Sequence, residues 1–391
     1  MFEQLYGHDT VILQLQKDIE RDHLPSALLM YGKQYTGRMT TALEVARALS
    51  CDRVGIGSCD CPRCRQQSTL HDPYLMILAK RNHIPEIEAA FATVKYAKNF
   101  ASRQLFIRSV MVLLGQFQPV FIEAAAPAKK GLFEQASDVD DLLHQLLGMN
   151  MGEEPDATDK LLESIMKKVR KIAAGVHASI PVSYIRNISV WLRSTSENIR
   201  RIVIIEGVDE FHDSAINSML KILEEPPKNV FFILLAKKKN TIIPTILSRV
   251  RSYYLGDRKG AEEQVIERVF LDKADEFDSL QTFFTTKMGV DCRELRDSAE
   301  SYLFTALERR ITPRSEIEQI ISTISQKKQM SLFLKELTDI LEEEVTDRLL
   351  TDEQAYEILN MVSDMHQKSV IYHQGDALLL ETLYYRIADI V

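Results

Sequence analysis

Tyr31–Thr41 reads YGKQYTGRMTT, and the fold turns on this stretch. The apolar run Ala27–Tyr31 leads into Gly32, and Gly37 follows five positions on. Beyond it Ala42, Val45, Ala46 and Leu49 recur at helical spacing. Strand, glycine loop and helix in that order are the layout of a phosphate-binding loop. In a working loop the second glycine is followed by Lys and then Ser or Thr. Backbone N–H groups cradle the phosphates, the Lys neutralises the β- and γ-phosphates, and the hydroxyl holds Mg²⁺. Here those positions are Arg38 and Met39. A planar guanidinium fork does not replace a point-charge ammonium, and a thioether offers no oxygen to a hard cation. Gly32, Gly37, Arg38 and Thr40 thus outline a degenerate phosphate loop. The plainer alternative is a glycine turn before a helix, and the rest of the chain weighs against it.

A length of 391 residues predicts two or three domains. With 45% hydrophobic and 27% charged residues, the composition is that of an ordinary globular protein. A formal charge of −8 opposes a strongly basic nucleic-acid binder, so any DNA contact is expected to be local or made through partners. The first residues, MFEQLYGHDT, lack a charged-then-apolar leader pattern. No apolar run approaches the roughly 18 residues of a spanning helix. The expectation is a cytoplasmic chain with no membrane contact, in a compartment where disulfides are rare.

Four of the five cysteines, Cys51, Cys59, Cys61 and Cys64, fall in one Gly-containing loop. Cys61 and Cys64 have the C-x2-C bite that closes two corners of a tetrahedron. The reading is structural Zn²⁺, because four thiolates leave no position for a reacting water. Such a site contributes on the order of 10 kcal/mol to local folding. Four reduced, unliganded thiols are the alternative, and the clustering opposes it. Cys292 stands alone and reads as a small helical residue.

Around these motifs the pattern predicts a leading helix (Thr10–Arg21), a short strand at Leu75–Ala79 and a mostly helical insert over 84–178. That insert is broken by a polar stretch, Met149–Asp159. Lys167, Lys168, Arg170 and Lys171 form a basic run there, better read as a solvated helix face than as a nucleic-acid contact. An amphipathic helix over Val182–Ser194 precedes a buried strand, Arg201–Ile205, which ends in Glu206-Gly207-Val208-Asp209-Glu210. Carboxylates at the C-terminal end of such a strand are where an NTPase holds Mg²⁺ and its attacking water. A helix over Asp213–Glu225 is stopped by Pro226-Pro227, and Val230–Ala236 is a further buried strand. Pro244, Ser248 and Arg249 lie in a turn or short helix. Beyond Gly256 the pattern is helical to the end.

Ile202–Pro227, IVIIEGVDEFHDSAINSMLKILEEPP, resembles the bacterial clamp-loader branch of the AAA+ proteins. The shared phrase is carried by Asn217, Leu220, Lys221, Leu223, Glu224, Glu225, Pro226 and Pro227. Ser248-Arg249-Val250 is similar to the family's Ser-Arg-Cys motif, and the N-terminal stretch and the four-cysteine module before His71-Asp72-Pro73 also fit. The likeness covers about residues 1–80 and 180–256; the helical stretch 84–178 lies outside it. The cysteine spacers here are seven, one and two residues, tighter between Cys59 and Cys61 than the family's usual pattern, which leaves the ligand set open.

The resemblance implies an α/β AAA+ P-loop core, a parallel sheet with helices on both faces. It implies a core over 1–255, carrying the zinc module 51–64 and the insert. A helical lid follows over 256–290, and a helical collar for oligomerisation over 291–391. Three departures distinguish the chain from the family's ATP-hydrolysing γ/τ motor. They are the lost Lys and hydroxyl, Glu206-Gly207 where Asp-Glu is usual, and Ala236-Lys237 where a polar residue senses the γ-phosphate. Glu206 remains a candidate metal holder, but Gly207 cannot polarise water. Nor does the chain run on past the collar as the long τ form does. The family's arginine reaches into a neighbour's ATP, so Arg249, beside Ser248, is expected to act in trans. The implied role is a subunit without catalysis of its own in a DNA-directed DNA polymerase complex. Its implied partners are γ/τ and δ, and through the complex the sliding clamp and primed DNA. Whether ATP or ADP is bound stays open. An active motor using Arg38 and Glu206, and a zinc-stabilised scaffold without nucleotide, are the alternatives.

Overall fold

The computed structural model describes residues 5–53, 59–125, 129–151, 154–176, 180–193, 199–258, 260–307, 314–327, 329–346, 350–370 and 374–390. The chain forms two compact units, Met1–Met288 and Gly289–Val391.

The first unit is built on a sheet of β1 (Ala27–Tyr31), β2 (Leu75–Leu78), β3 (Arg201–Glu206), β4 (Val230–Ala236) and β5 (Arg251–Tyr254). Their order across the sheet is β2-β3-β4-β1-β5, and every pairing is parallel. The register sets Ala27 beside Phe232, Leu28 beside Arg251, Leu75 beside Ile202 and Arg201 beside Val230. The four apolar strands expected from sequence are present and almost wholly buried. A sheet covered on both faces needs such unbroken apolar runs rather than alternation. Strand parity decides the face. Leu29, Met76, Val203, Ile205, Phe232 and Leu234 enter one core. Leu28, Met30, Ile77, Ile202, Ile204 and Leu235 enter the other.

On the second of these faces lie α1 (Asp9–Glu20) and α2 (Arg38–Ser50). On the first lie α8 (Val182–Arg193) and α9 (Asp213–Glu224). Between α2 and β2 the cysteine loop is followed by α3 (Pro62–Thr69). The stretch between β2 and α8 forms α4 (Ile84–Ala97), α5 (Phe100–Leu114), α6 (Lys130–Gly148) and α7 (Pro155–Ala174). These have a core of their own, with Phe106, Val110, Val139, Leu143, Ile165 and Val169 inaccessible. Gly115 joins that bundle to the sheet: a Cβ there would lie 2.3 Å from the Ile77 carbonyl, so only glycine permits the approach.

After β4, α10 (Pro244–Leu247) is a single turn leading to β5. Then α11 (Glu262–Val269) and α12 (Leu280–Lys287) pack on α4 through Phe270, Phe283, Phe284 and Ala89. Thr93 Oγ1 donates to the Phe270 carbonyl at 3.0 Å. The second unit consists, among the described residues, of α13 (Cys292–Leu307), α14 (Arg314–Gln326), α15 (Met330–Thr346), α16 (Asp352–Val370) and α17 (Asp376–Ile390). They close on one core containing Leu303, Phe333, Leu337, Ile358 and Leu383. No helix among the described residues is long and apolar enough to cross a membrane.

Candidate functional site: a phosphate loop facing an ion network

The loop after β1, the candidate phosphate cradle, is a tight turn built on Gly32 and Gly37. Gly32 N–H donates to the Ala236 carbonyl at 3.2 Å, and a Cβ on Gly32 would come within 2.0 Å of the Leu255 carbonyl oxygen. Gly37 adopts φ of +85° and caps α2, a conformation that costs glycine nothing. Thr36 Oγ1 donates to the Lys33 carbonyl at 2.9 Å, and His8 Nε2 meets the Thr36 carbonyl at 2.6 Å. A carbonyl only accepts, so His8 carries its proton on Nε2. Burial lowers the His8 pKa. Thr41, the hydroxyl next after Thr40, is buried and donates to the Gly37 carbonyl at 2.9 Å.

Side chains of unexpected origin surround this cradle. Arg258 is 6% exposed and packs its guanidinium on Gly37: a Cβ there would meet its Nη2 at 2.0 Å. Burial lowers the Arg258 pKa, and its Nε has no hydrogen-bond acceptor among the described residues. Arg38 is equally buried; burial lowers its pKa, and the charges acting on it include Glu206, Asp209, Arg81 and Glu86.

At the end of β3, Glu206 is 5% exposed. Arg81 Nε lies 3.4 Å from Glu206 Oε2, and Arg81 Nη2 lies 2.7 Å from Glu86 Oε2. A guanidinium therefore faces the carboxylate that would hold a metal ion. Gly207 follows at φ of +80° and brings no side chain. Asp209 Oδ2 accepts from the Lys237 N–H at 2.9 Å, and Lys80 and Lys237 both donate to Glu210. Burial acts to raise the Glu210 pKa, but the two lysines hold it below the usual carboxylate range. Glu210 is paired by two lysines, whereas Glu206 and Arg81 meet as a charge contact only: Glu206 Oε2 and Arg81 Nε have no hydrogen-bond partner among the described residues.

Arg249 emerges at the end of α10, on the surface. Its Nη2 pairs with Glu224 Oε1 at 2.9 Å and its Nη1 donates to the Thr245 carbonyl at 2.7 Å. Ser248 Oγ lies 3.3 Å from Nη1 and donates to the Thr245 carbonyl at 3.0 Å. Glu224, the last residue of α9, thus holds Arg249.

The sulfurs of Cys51, Cys59, Cys61 and Cys64 lie within 4.8 Å of one another. Four sulfurs about 2.3 Å from a zinc ion would stand about 3.8 Å apart, so the donor set fits the ion with small adjustment. Cys61 Sγ accepts from Cys64 N–H and Cys51 Sγ from Arg53 N–H, each at 3.4 Å. Burial opposes ionisation of Cys61, yet N–H donors from Cys64 and Asp52 bring its pKa down to about 7. The close spacing of Cys59 and Cys61 does not keep either from the cluster. In the basic run, Lys168 pairs with Asp138 at 2.7 Å and Arg170 with Glu88 at 2.7 Å, as a solvated helix face does.

Fold and site together define an α/β protein on a five-stranded parallel sheet, with a glycine loop between its first strand and the helix that follows. The family described as DNA polymerase III, delta subunit, matches residues 7–114 and 142–258, more than half of the chain, and the chain belongs to that family. The match reaches into 84–114 and 142–178, which corrects the expectation that the whole helical insert lies outside the likeness. A DNA polymerase III subunit delta′ of Buchnera aphidicola is 38% identical over 72 residues, 18% of this chain and 21% of that protein. The subunit delta′ of Haemophilus influenzae is 31% identical over 77 residues, 19% of this chain and 24% of that protein. An uncharacterized MG007 homologue of Mycoplasma pneumoniae is 30% identical over 132 residues, 34% of this chain and 47% of that protein. The chain thus spans less than half the length of each of these relatives. A solved DNA polymerase III gamma subunit-related protein of Thermotoga maritima superposes over 97% of this chain and 98% of its own. The TM-score is 0.44 at 14% identity, a level that carries no argument.

Proposed function

We propose that this chain acts as a δ′-type subunit of a bacterial clamp loader, one that does not hydrolyse ATP and donates Arg249 to an ATP held by the neighbouring γ/τ motor. The observation that carries the reading is the ion network at the strand end. Arg81 faces Glu206 at 3.4 Å, in the place where a motor would need a carboxylate free for Mg²⁺. Met39 and Gly207 remove the hydroxyl and the second acid, and Arg258 covers Gly37. Each change alone leaves a weakened ATPase; together they leave a nucleotide scaffold without its reagents. Arg249, beside Ser248, is by contrast exposed and oriented by Glu224.

In this reading residues 1–255 form the core, 256–290 the lid, and 291–391 a collar that joins δ, γ/τ and this chain. The complex opens the sliding clamp and places it on primed DNA. Zn²⁺ held by Cys51, Cys59, Cys61 and Cys64 would supply folding energy, not chemistry. A finger supplied in trans is worth roughly 10³–10⁵ in rate at its own site. In a loader reconstituted with its γ/τ and δ partners, Arg249→Ala is expected to lower clamp- and DNA-stimulated ATPase several-fold without loss of assembly. An unchanged rate removes Arg249 from the account.

A further inference from the structure

Away from the phosphate loop, His71, Asp140 and His144 bring their ligand atoms within 4.8 Å of one another. His71 follows the left-handed Leu70 that closes α3, and its N–H donates to the Gln66 carbonyl at 3.0 Å. It is therefore fixed to the same short helix that begins at Cys61. Asp140 and His144 stand one turn apart on α6, so both project from one face. His71 Nε2 lies 3.1 Å from Asp140 Oδ1, and His144 Nε2 lies 4.0 Å from Asp140 Oδ2. The two imidazole rings are 4.4 Å apart between centroids.

The hydrogen bonds around His71 constrain what sits at Nε2. Its Nδ1 lies 3.0 Å from Thr69 Oγ1. Thr69 Oγ1 also lies 3.3 Å from the Gln66 carbonyl and can give its proton there. With that proton on the carbonyl, Nδ1–H donates to Thr69 Oγ1 and Nε2 keeps a lone pair beside the Asp140 carboxylate, two donor atoms poised to share a metal ion. In the other tautomer Nε2–H donates to Asp140 Oδ1, and the two residues form a plain hydrogen bond. The Nδ1–H···Oγ contact is also the outer hydrogen bond that orients a metal-binding histidine. The second imidazole, tilted beside the first, brings its own ring nitrogen within reach of a shared ion.

We propose that His71, Asp140 and His144 form a second metal site, for a borderline divalent transition ion such as Zn²⁺ or Co²⁺. Two imidazoles and a carboxylate are the ligands these ions take, and the partly exposed position leaves a coordination place for water. The site clasps α6 of the helical bundle to the cysteine helix α3. It is independent of the role proposed for Arg249.

The test uses the full chain, stripped of metal under reducing conditions and titrated with Co²⁺. Cobalt bound by thiolates carries an intense sulfur-to-metal charge-transfer band; cobalt bound by imidazole and carboxylate shows only weaker ligand-field bands. The wild type is expected to take up an equivalent that has no thiolate band. His144→Ala and Asp140→Asn should weaken that equivalent at least about tenfold. Both variants should keep the far-ultraviolet dichroism of the wild type. Uptake at the cysteines is read separately through its own band. Absence of the thiolate-free equivalent in the wild type overturns the site and leaves an ordinary His–Asp hydrogen bond. Equal uptake by His144→Ala overturns it as well.

Discussion

At the scale of single residues, the deciding feature is a cation standing against Glu206. Arg81 is held between Glu86 and Glu206, and Arg38 lies in the same field. Removing Arg81 would leave a carboxylate that is 5% exposed without the guanidinium it faces, with only Arg38 acting on it, which costs more than the ion pair contributes. Arg81→Met is therefore expected to destabilise the first unit by about 2 kcal/mol or more, read from urea melts. Adding Glu206→Gln should restore part of the loss. A loss in the double variant equal to the sum of the two single losses would show that the pair is not coupled. The losses at Arg38, Met39 and Gly207 were legible in the sequence because they fall inside a motif of fixed spacing. Arg81 and Arg258 were not, since each belongs to no motif and meets its partner only once the sheet is assembled. Glu224 was read as part of a family phrase, while its bond to Arg249 depends on the turn of α10.

At the scale of elements, the start of α4 carries a pH dependence. His83, its N-cap, is 3% exposed, with Nε2 against the Ala79 carbonyl at 3.3 Å. Burial first, and then the charge of Arg81, hold its pKa down to about 3. The unfolded chain, where the group titrates near its ordinary value, takes up the proton more readily. The contribution is thus fully present above about pH 6.5 and is lost as pH falls toward the folded value. The slope reaches about 1.4 kcal/mol per pH unit for this one group. His8, lowered by burial, acts in the same direction. Urea melts between about pH 7 and pH 5 should show stability falling, and His83→Gln should flatten the curve. An unchanged slope in that variant assigns the effect to other groups. The four buried strands were legible because a doubly covered sheet demands apolar runs. The edge strand β5 was not: of Arg251–Tyr254 only Tyr253 is buried, and one apolar position does not make a period. The helix α3 was hidden for a related reason. Its sequence, PRCRQQST, has no apolar stripe, and it is held by the cysteine cluster and its cap.

At the scale of the whole molecule, the chain divides into a unit built on a parallel sheet and a unit of helices alone. The second unit has a complete core and leaves Tyr356, Leu378 and Tyr385 exposed. The proposed collar role places subunit contacts there. A chain ending at Met288 should keep its sheet but no longer co-purify with γ/τ and δ; retained assembly would move those contacts to the first unit. The central claim concerns the first unit, a nucleotide fold whose own reagents have been replaced while its arginine serves a neighbour. ATP turnover by the purified chain alone tests it most directly. The expected rate is indistinguishable from that of a protein-free control. Turnover on the order of 1 s⁻¹, within the ordinary enzyme range, that disappears in Arg38→Ala would contradict the claim.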